Sequence, residues 1–419
     1  MQTVKRFPLL AALAALALAL FLLLSRPGTP SAAQGGALIP TLTPSPVPTA
    51  TLTPTPNPTA TAAAAYFTVE QAELVSLYPR GVEYVLKVRS SAGQIERARV
   101  SFWTNEGHAT SQPLEWDAGR GAWVYFDRMF SPPWFQIHFR FRAMDSVGNF
   151  YETEEQVQEY ADPTREWVRR ENEQIVVLLF GARKSLADDL FASANAAITR
   201  LEDAFGFSLD YKPYVVVMPD AQSFQEWQEY AEEYLAGLTL SSMGYTIQTL
   251  QWGEQDLVYT TVPHELTHIF QGYIAEAWDI PAWFTEGHAT YFETVQQYDY
   301  EARVRRVASH PDFPTLRREL SIDQPGPDGG NRWIYDLGYT FVKYWIETYG
   351  MESHRIFWQA QVTMDFHEAL EFATGRSFEE LENEWRRWIG APGPAPTLWP
   401  TPTLMPFPTA PPMPTLPGG

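Results

Sequence analysis

Two histidines four residues apart, with a glutamate beside the first, stand at His264-Glu265-Leu266-Thr267-His268, and a second glutamate follows in Trp283-Phe284-Thr285-Glu286-Gly287-His288-Ala289. On an α-helix, 3.6 residues per turn bring positions i and i+4 onto one face, so both imidazoles can grip one ion. Glu265 points toward the same cleft without having to enter the coordination shell, which suits a general base acting on a metal-activated water. Catalytic zinc keeps three protein ligands and an open position, and two His plus one Glu is a known set. Glu286, on a second expected helix, can supply the third ligand. The chemistry implied is hydrolysis with one Zn2+ ion, its ligands His264, His268 and Glu286.

The elements that must carry these residues show in the flanking pattern. Val258-Tyr259 reads as a short strand, Thr260 and Thr261 as N-caps, and Pro263 falls in the first helical turn, where its missing N–H costs little. Leu266, Ile269, Phe270 and Tyr273 then recur at helical spacing and predict a buried face. Upstream, residues 175–180 and 214–218 are apolar runs expected as buried strands, and residues 185–205 have helical apolar spacing. Residues 244–250 are expected at the edge of that sheet, where they can pair with an extended substrate backbone, an arrangement that favours an endopeptidase. Residues 333–349 and 377–389 read as helices.

The pair HELTH and Trp283-Phe284-Thr285-Glu286-Gly287-His288-Ala289-Thr290-Tyr291 resembles the gluzincin metallopeptidases and, within them, the peptidase MA-like domains. The likeness runs from about residue 174 to residue 389 and takes in Tyr335-Asp336-Leu337-Gly338-Tyr339 and Ala373-Thr374-Gly375. It implies an α+β thermolysin-like domain with a helical C-terminal lobe, zinc on His264, His268 and Glu286, and Glu265 as catalytic base. In such relatives a tyrosine downstream of the glutamate ligand hydrogen-bonds the oxyanion; Tyr335 is the matched position and Tyr339 its neighbouring alternative. The gap from His268 to Glu286 is a little shorter than in thermolysin, which weakens any transfer of substrate preference. Thr290 stands where thermolysin-like enzymes use an acidic residue to orient a ligand histidine, and Glu293 is another candidate for that task. His288, two residues past Glu286, points away from it and reads as an ordinary helix-face residue. His108, His138, His310, His354 and His367 show no ligand spacing and are expected to be structural or exposed.

The rest of the chain bears on where this chemistry takes place. Lys5 and Arg6 precede an apolar run over residues 8–24, expected to be a signal peptide or an uncleaved membrane anchor. Residues 25–65 and 391–419 are Pro-rich and nearly uncharged, the composition of a disordered stalk and tail. An extracytoplasmic protein is expected, either secreted or held at the outer face of the membrane. With no cysteine in the 419 residues, no disulfide framework supports the fold.

Between residues 66 and 160 the pattern has period two. Val82, Tyr84, Leu86 and Val88 alternate with polar residues, as do Ala98, Val100 and Phe102, and Phe135, Ile137, Phe139 and Phe141. This predicts an antiparallel β-sandwich, and the stretch Ala143-Met144-Asp145-Ser146-Val147-Gly148-Asn149 resembles the closing strands of immunoglobulin-like domains of exported bacterial proteins. An all-β immunoglobulin-like sandwich at 66–160 is therefore expected ahead of a zinc metallopeptidase domain at 165–390. Its functional role would be substrate or glycan binding; its bland and favoured one is a spacer or a brace packed on the peptidase.

A net charge of −20, from 30 basic and 50 acidic residues, disfavours nucleic acid or an anionic membrane face as partner. The expected partner is a peptide or protein substrate. The competing reading is a catalytically inactive, protease-like module that binds peptides at the cell surface without cutting them; an intact HELTH together with Glu286 favours the enzyme.

Overall fold

The computed structural model describes residues 66–393 apart from 105–108, 130, 228–236, 275–279, 318–319, 321 and 323. The N-terminal apolar run, the stalk and most of the C-terminal tail lie outside the described residues. Among the described residues no helix is long and apolar enough to cross a membrane.

Alternating side chains build the N-terminal region. Strands β1 (Phe67–Ser76), β2 (Val82–Ser90), β3 (Ile95–Trp103), β4 (Thr110–Pro113), β5 (Glu115–Asp117), β6 (Ala122–Asp127), β7 (Gln136–Asp145), β8 (Phe150–Glu152) and β9 (Gln156–Glu159) form two antiparallel sheets. Their orders are β1-β2-β6-β5 and β4-β3-β7-β8, with β9 on β7. The inner residues of both sheets enter one cluster, in which Tyr84 of β2 stacks on Phe102 of β3 at 5.0 Å between ring centroids and meets Phe139 of β7 edge-on at 5.7 Å.

A third, mixed sheet follows, made of β10 (Val168–Glu171), β11 (Val176–Leu179), β12 (Tyr214–Met218), β13 (Gly237–Leu240) and β14 (Tyr245–Thr249) in the order β10-β11-β12-β14-β13. Its middle strands β11, β12 and β14 run parallel, and both faces are covered. Val177, Leu179, Val215 and Val217 face the helices, whereas Val176, Leu178, Tyr214, Val216, Met218, Tyr245 and Ile247 join the core of the N-terminal region. Period two thus divides one sheet between two cores. Gln136 Nε2 donates to the Tyr214 hydroxyl at 2.9 Å, and that hydroxyl donates to Glu159 at 2.7 Å, tying the two regions together.

The edge strand expected at 244–250 is corrected here. β14 lies inside the sheet, and β13 takes the edge, paired antiparallel to β14. The buried run Tyr245–Thr249 has no exposed residue, as an inner strand requires.

The helices are α1 (Lys184–Phe205), α2 (Ala221–Gln225), α3 (Val262–Ile274), α4 (Ala282–Tyr291), α5 (Tyr300–Val307), α6 (Trp333–Ala360), α7 (Phe366–Thr374) and α8 (Phe378–Ile389). α6 breaks at Gly350, whose φ of 82° and ψ of 166° no helix accommodates, so the expected helix end at residue 349 is found. A capping box from Ser377 and Glu380 starts α8. The helical core is aromatic: Trp283, Trp333, Trp345, Trp358 and Trp385 are all fully buried.

The strand expected at Val258-Tyr259 is also corrected. A helical turn starts at Glu254, passes through a π-helical turn at Leu257–Thr261 and runs on into α3, so neither Thr260 nor Thr261 caps it. The β-branched run Val258, Thr260, Thr261, Val262 favours a strand locally, but burial of Leu257, Val258 and Val262 in the helical core overrides that preference.

Candidate metal centre and active site

α3 buries Val262, Leu266, Ile269 and Phe270, which leaves the ridge of His264 and His268 facing α4. α4 hangs from Trp283 and Phe284; Phe284 lies among Phe357, Phe366 and Trp345. Its other fixed point is Gly287, where α6 passes so closely that a Cβ on Gly287 would lie 2.1 Å from the Gly338 carbonyl carbon. Pinned on both sides of Glu286, α4 holds that carboxylate against the two histidines.

The three expected ligands come together. His264 Nε2 lies 3.2 Å from Glu286 Oε2 and 3.2 Å from His268 Nε2, and His268 Nε2 lies 3.5 Å from Glu286 Oε2. Zinc bonds of about 2.0–2.1 Å in a tetrahedron place ligand atoms about 3.3–3.4 Å apart. The triangle therefore has the dimensions of one face of a tetrahedral zinc site. Among the described residues it is the group of histidine and carboxylate side chains placed to hold a metal ion.

The outer partners fit the same ion. His264 Nδ1 lies 3.2 Å from Glu293 Oε1, and His268 Nδ1 lies 2.8 Å from Gln271 Oε1. A carboxylate or amide oxygen only accepts, so each Nδ1 carries a proton, and it is each Nε2 that would be left to hold a metal ion. Glu293, not Thr290, orients the first histidine: Thr290 is buried and its hydroxyl has no hydrogen-bond partner among the described residues. Glu293 is itself fixed by the Tyr300 hydroxyl at 2.7 Å.

Electrostatics in the cation-free pocket show what the carboxylates do. Burial opposes charge on His264, but its hydrogen bonds to Glu286 and Glu293, with the charge of Glu265, outweigh this and raise its pKa to about 10. His268 is also raised: burial works against the charge and Glu286 prevails. Burial likewise opposes ionisation of Glu286, yet His268 and His264 hold its carboxyl far below the usual range. A cluster that holds extra positive charge this firmly suits a divalent cation.

Glu265 follows His264 on α3, and its Oε2 accepts a 2.5 Å hydrogen bond from Thr239 of β13. Thr239 pairs with Thr246 across the β13–β14 ladder, their hydroxyls 2.8 Å apart, and Gln248 donates to Thr246 at 2.8 Å. Tyr335, on the first turn of α6, lays its ring over His264 at 5.9 Å, with the Arg332 guanidinium 4.5 Å from the centroid on the tyrosine ring. Burial and the charge of Glu286 push the Tyr335 phenol up, so it keeps its proton. Tyr339 is directed elsewhere, its hydroxyl bound by Gln296.

His288 departs from its expectation as a helix-face residue. It is fully buried, with its Nδ1 2.9 Å from Gln271 Nε2 and its Nε2 2.7 Å from His354 Nε2. Pointing away from Glu286 directs it into the core between α4 and α6. Sequence reasoning missed Gln271 altogether, although its place three residues after His268 on one helix face was a usable signal.

Residues 193–391 match the model of the Peptidase MA superfamily. That stretch contains the metal triangle, Glu265 and Tyr335, and the superfamily is generally zinc-dependent. No curated protein matches the chain. Among solved structures, aminopeptidase A of Legionella pneumophila, in complex with aspartic acid, aligns over 76% of this chain and 49% of its own at 10% identity, with a TM-score of 0.33. The chain thus spans about half the length of that protein. A polysaccharide deacetylase of Bacillus cereus aligns over 48% of this chain and 77% of its own at 9% identity and a TM-score of 0.18. The family match points to a peptidase-like fold over residues 193–391.

Proposed function

We propose that this protein is an exported zinc-dependent endopeptidase of gluzincin type, its peptidase domain preceded by an immunoglobulin-like sandwich. The observation that carries the reading is the triangle of His264 Nε2, His268 Nε2 and Glu286 Oε2, with sides of 3.2, 3.2 and 3.5 Å, next to an intact Glu265. Export rests on Lys5, Arg6 and the apolar run that follows them.

Zinc held on those three atoms supplies Lewis acidity, which brings the pKa of water near 7 and polarises a carbonyl. Glu265 takes a proton from the attacking water and returns it to the amine nitrogen as the peptide bond breaks. Thr239 holds one carboxylate oxygen of Glu265 and leaves the other for this transfer. The protonated phenol of Tyr335 donates to the oxygen that gains charge on the scissile carbonyl. β13 presents the sheet edge to an extended substrate, an arrangement that reads backbone and favours internal bonds over chain ends.

The full-length protein, incubated with a complex peptide mixture, should generate new internal termini by mass spectrometry. Chelation should abolish them, and Glu265→Gln should slow their appearance about 10²–10⁴-fold. Zinc-loaded wild type that binds peptides but makes no cut would support the inactive binding module instead.

A further inference from the structure

A chain of buried polar side chains runs from His268 away from the metal triangle, and it spans both ligand-bearing helices. Gln271 Oε1 takes the His268 Nδ1 proton at 2.8 Å, while Gln271 Nε2 donates to the Thr285 carbonyl at 3.0 Å and to His288 Nδ1 at 2.9 Å. His288 Nε2 lies 2.7 Å from His354 Nε2, and His354 Nδ1 lies 3.0 Å from the carbonyl of Ala204 in the last turn of α1. Trp358 Nε1 lies 3.1 Å from His354 Nε2 and 3.3 Å from His288 Nε2, and its N–H goes to whichever of the two nitrogens is unprotonated. Gln271, His288 and His354 are 5%, 0% and 0% exposed.

Only one assignment of protons satisfies this chain. The carbonyl of Ala204 can only accept, so His354 carries its proton on Nδ1 and accepts at Nε2. His288 must then donate from Nε2 and accept at Nδ1. The carbonyl of Thr285 requires the amide nitrogen of Gln271 on its side, which turns the amide oxygen to His268. That oxygen in turn requires the proton on Nδ1 of His268 and leaves Nε2 unprotonated, as a metal ligand must be. Burial lowers His354 to a pKa of about 3. The tautomer of each ring is thus set by its hydrogen-bond partners.

The same amide is a clamp. It bonds the side chain of one ligand on α3 and the backbone immediately before the other, Glu286 on α4. We infer that Gln271, backed by His288 and His354, is a positioning residue that sets the tautomer of His268 and locks α3 to α4 at the spacing the metal triangle needs. This rests on the metal reading of His264, His268 and Glu286. An apolar set of similar volume would fill this space without burying three polar side chains, so packing alone does not account for it.

The test uses the full-length chain and zinc affinity, measured by competition with a chromophoric chelator, for wild type, Gln271→Leu and His288→Phe. Gln271→Leu should bind zinc about 10–100-fold more weakly, with His288→Phe between it and wild type. Cobalt in place of zinc should give an altered visible absorption band in Gln271→Leu while its circular dichroism stays that of wild type. Wild type that binds no zinc overturns the metal reading itself; wild type that binds zinc no more tightly than folded Gln271→Leu overturns this inference alone. Should Gln271→Leu fail to fold, 15N-histidine NMR of zinc-loaded wild type decides: protons on Nδ1 of His268, Nε2 of His288 and Nδ1 of His354 support the relay, and any other pattern refutes it.

Discussion

His264 concentrates the pH dependence of the site. An ion requires its neutral form, yet Glu286 and Glu293 hold its proton up to about pH 10 in the cation-free pocket. Zinc binding near pH 7 must therefore displace that proton, and apparent affinity should rise at least about tenfold per pH unit between pH 6 and 9 in chelator-competition titrations, more steeply where His268, also raised, gives up a proton too. A flat profile would mean that His264 is already neutral. The linked stability has the opposite slope. Because the folded pKa lies above the unfolded value, the bound proton stabilises the metal-free fold fully below about pH 6.5, and this is lost as pH climbs toward 10. The metal-free melting temperature should fall across that window. At Tyr335, removal of one hydroxyl separates two neighbouring tyrosines: Tyr335→Phe should cut kcat about 10²–10³-fold with little change in KM, whereas Tyr339→Phe, whose hydroxyl is engaged by Gln296, should leave kcat near wild type. Equal effects from both would remove Tyr335 from the chemistry.

Between elements, the controlling feature is the crossing of α4 and α6. A Cβ on Gly338 would sit 1.9 Å from the Trp283 carbonyl oxygen and 2.8 Å from Gly287 Cα, so an alanine there must part the helices. Gly338→Ala should cost about 3 kcal/mol in urea unfolding and weaken zinc binding, because Glu286 precedes the contact on α4. An unchanged unfolding midpoint would show that the helices slide apart freely. The helices that carry the site were legible because their signal is local: i and i+4 histidines, apolar spacing in α3, a capping box before α8. The readings that failed depended on distant partners. Val258 and its neighbours carry strand-like side chains, but α1 lies against them and Ser193 donates to the Val258 carbonyl at 2.5 Å. β14 looked like an edge because β13 follows an unpatterned stretch and is only a few residues long. For His288, helix geometry reveals that it turns from Glu286; that His354 waits there, 66 residues on, is known only from the fold.

At the scale of the molecule, the N-terminal sheets cover one face of the mixed sheet. Brace describes them better than spacer, since Tyr214, Val216, Met218, Tyr245 and Ile247 belong to the same core as Tyr84 and Phe139. Deleting residues 66–160 should expose those five side chains and yield aggregated protein by size-exclusion chromatography, even though the metal ligands are untouched. A monomeric, zinc-binding truncation would show that the two cores are independent. This shared sheet also constrains descent. A recombination that carried only the peptidase half into another gene would arrive with one wall of its sheet bare. If the truncation aggregates as expected, the two halves must travel together, and changes at Tyr245 or Tyr214 would call for matching changes in the covering strands. A shared sheet of this kind makes the boundary near residue 160 a poor place to cut the chain.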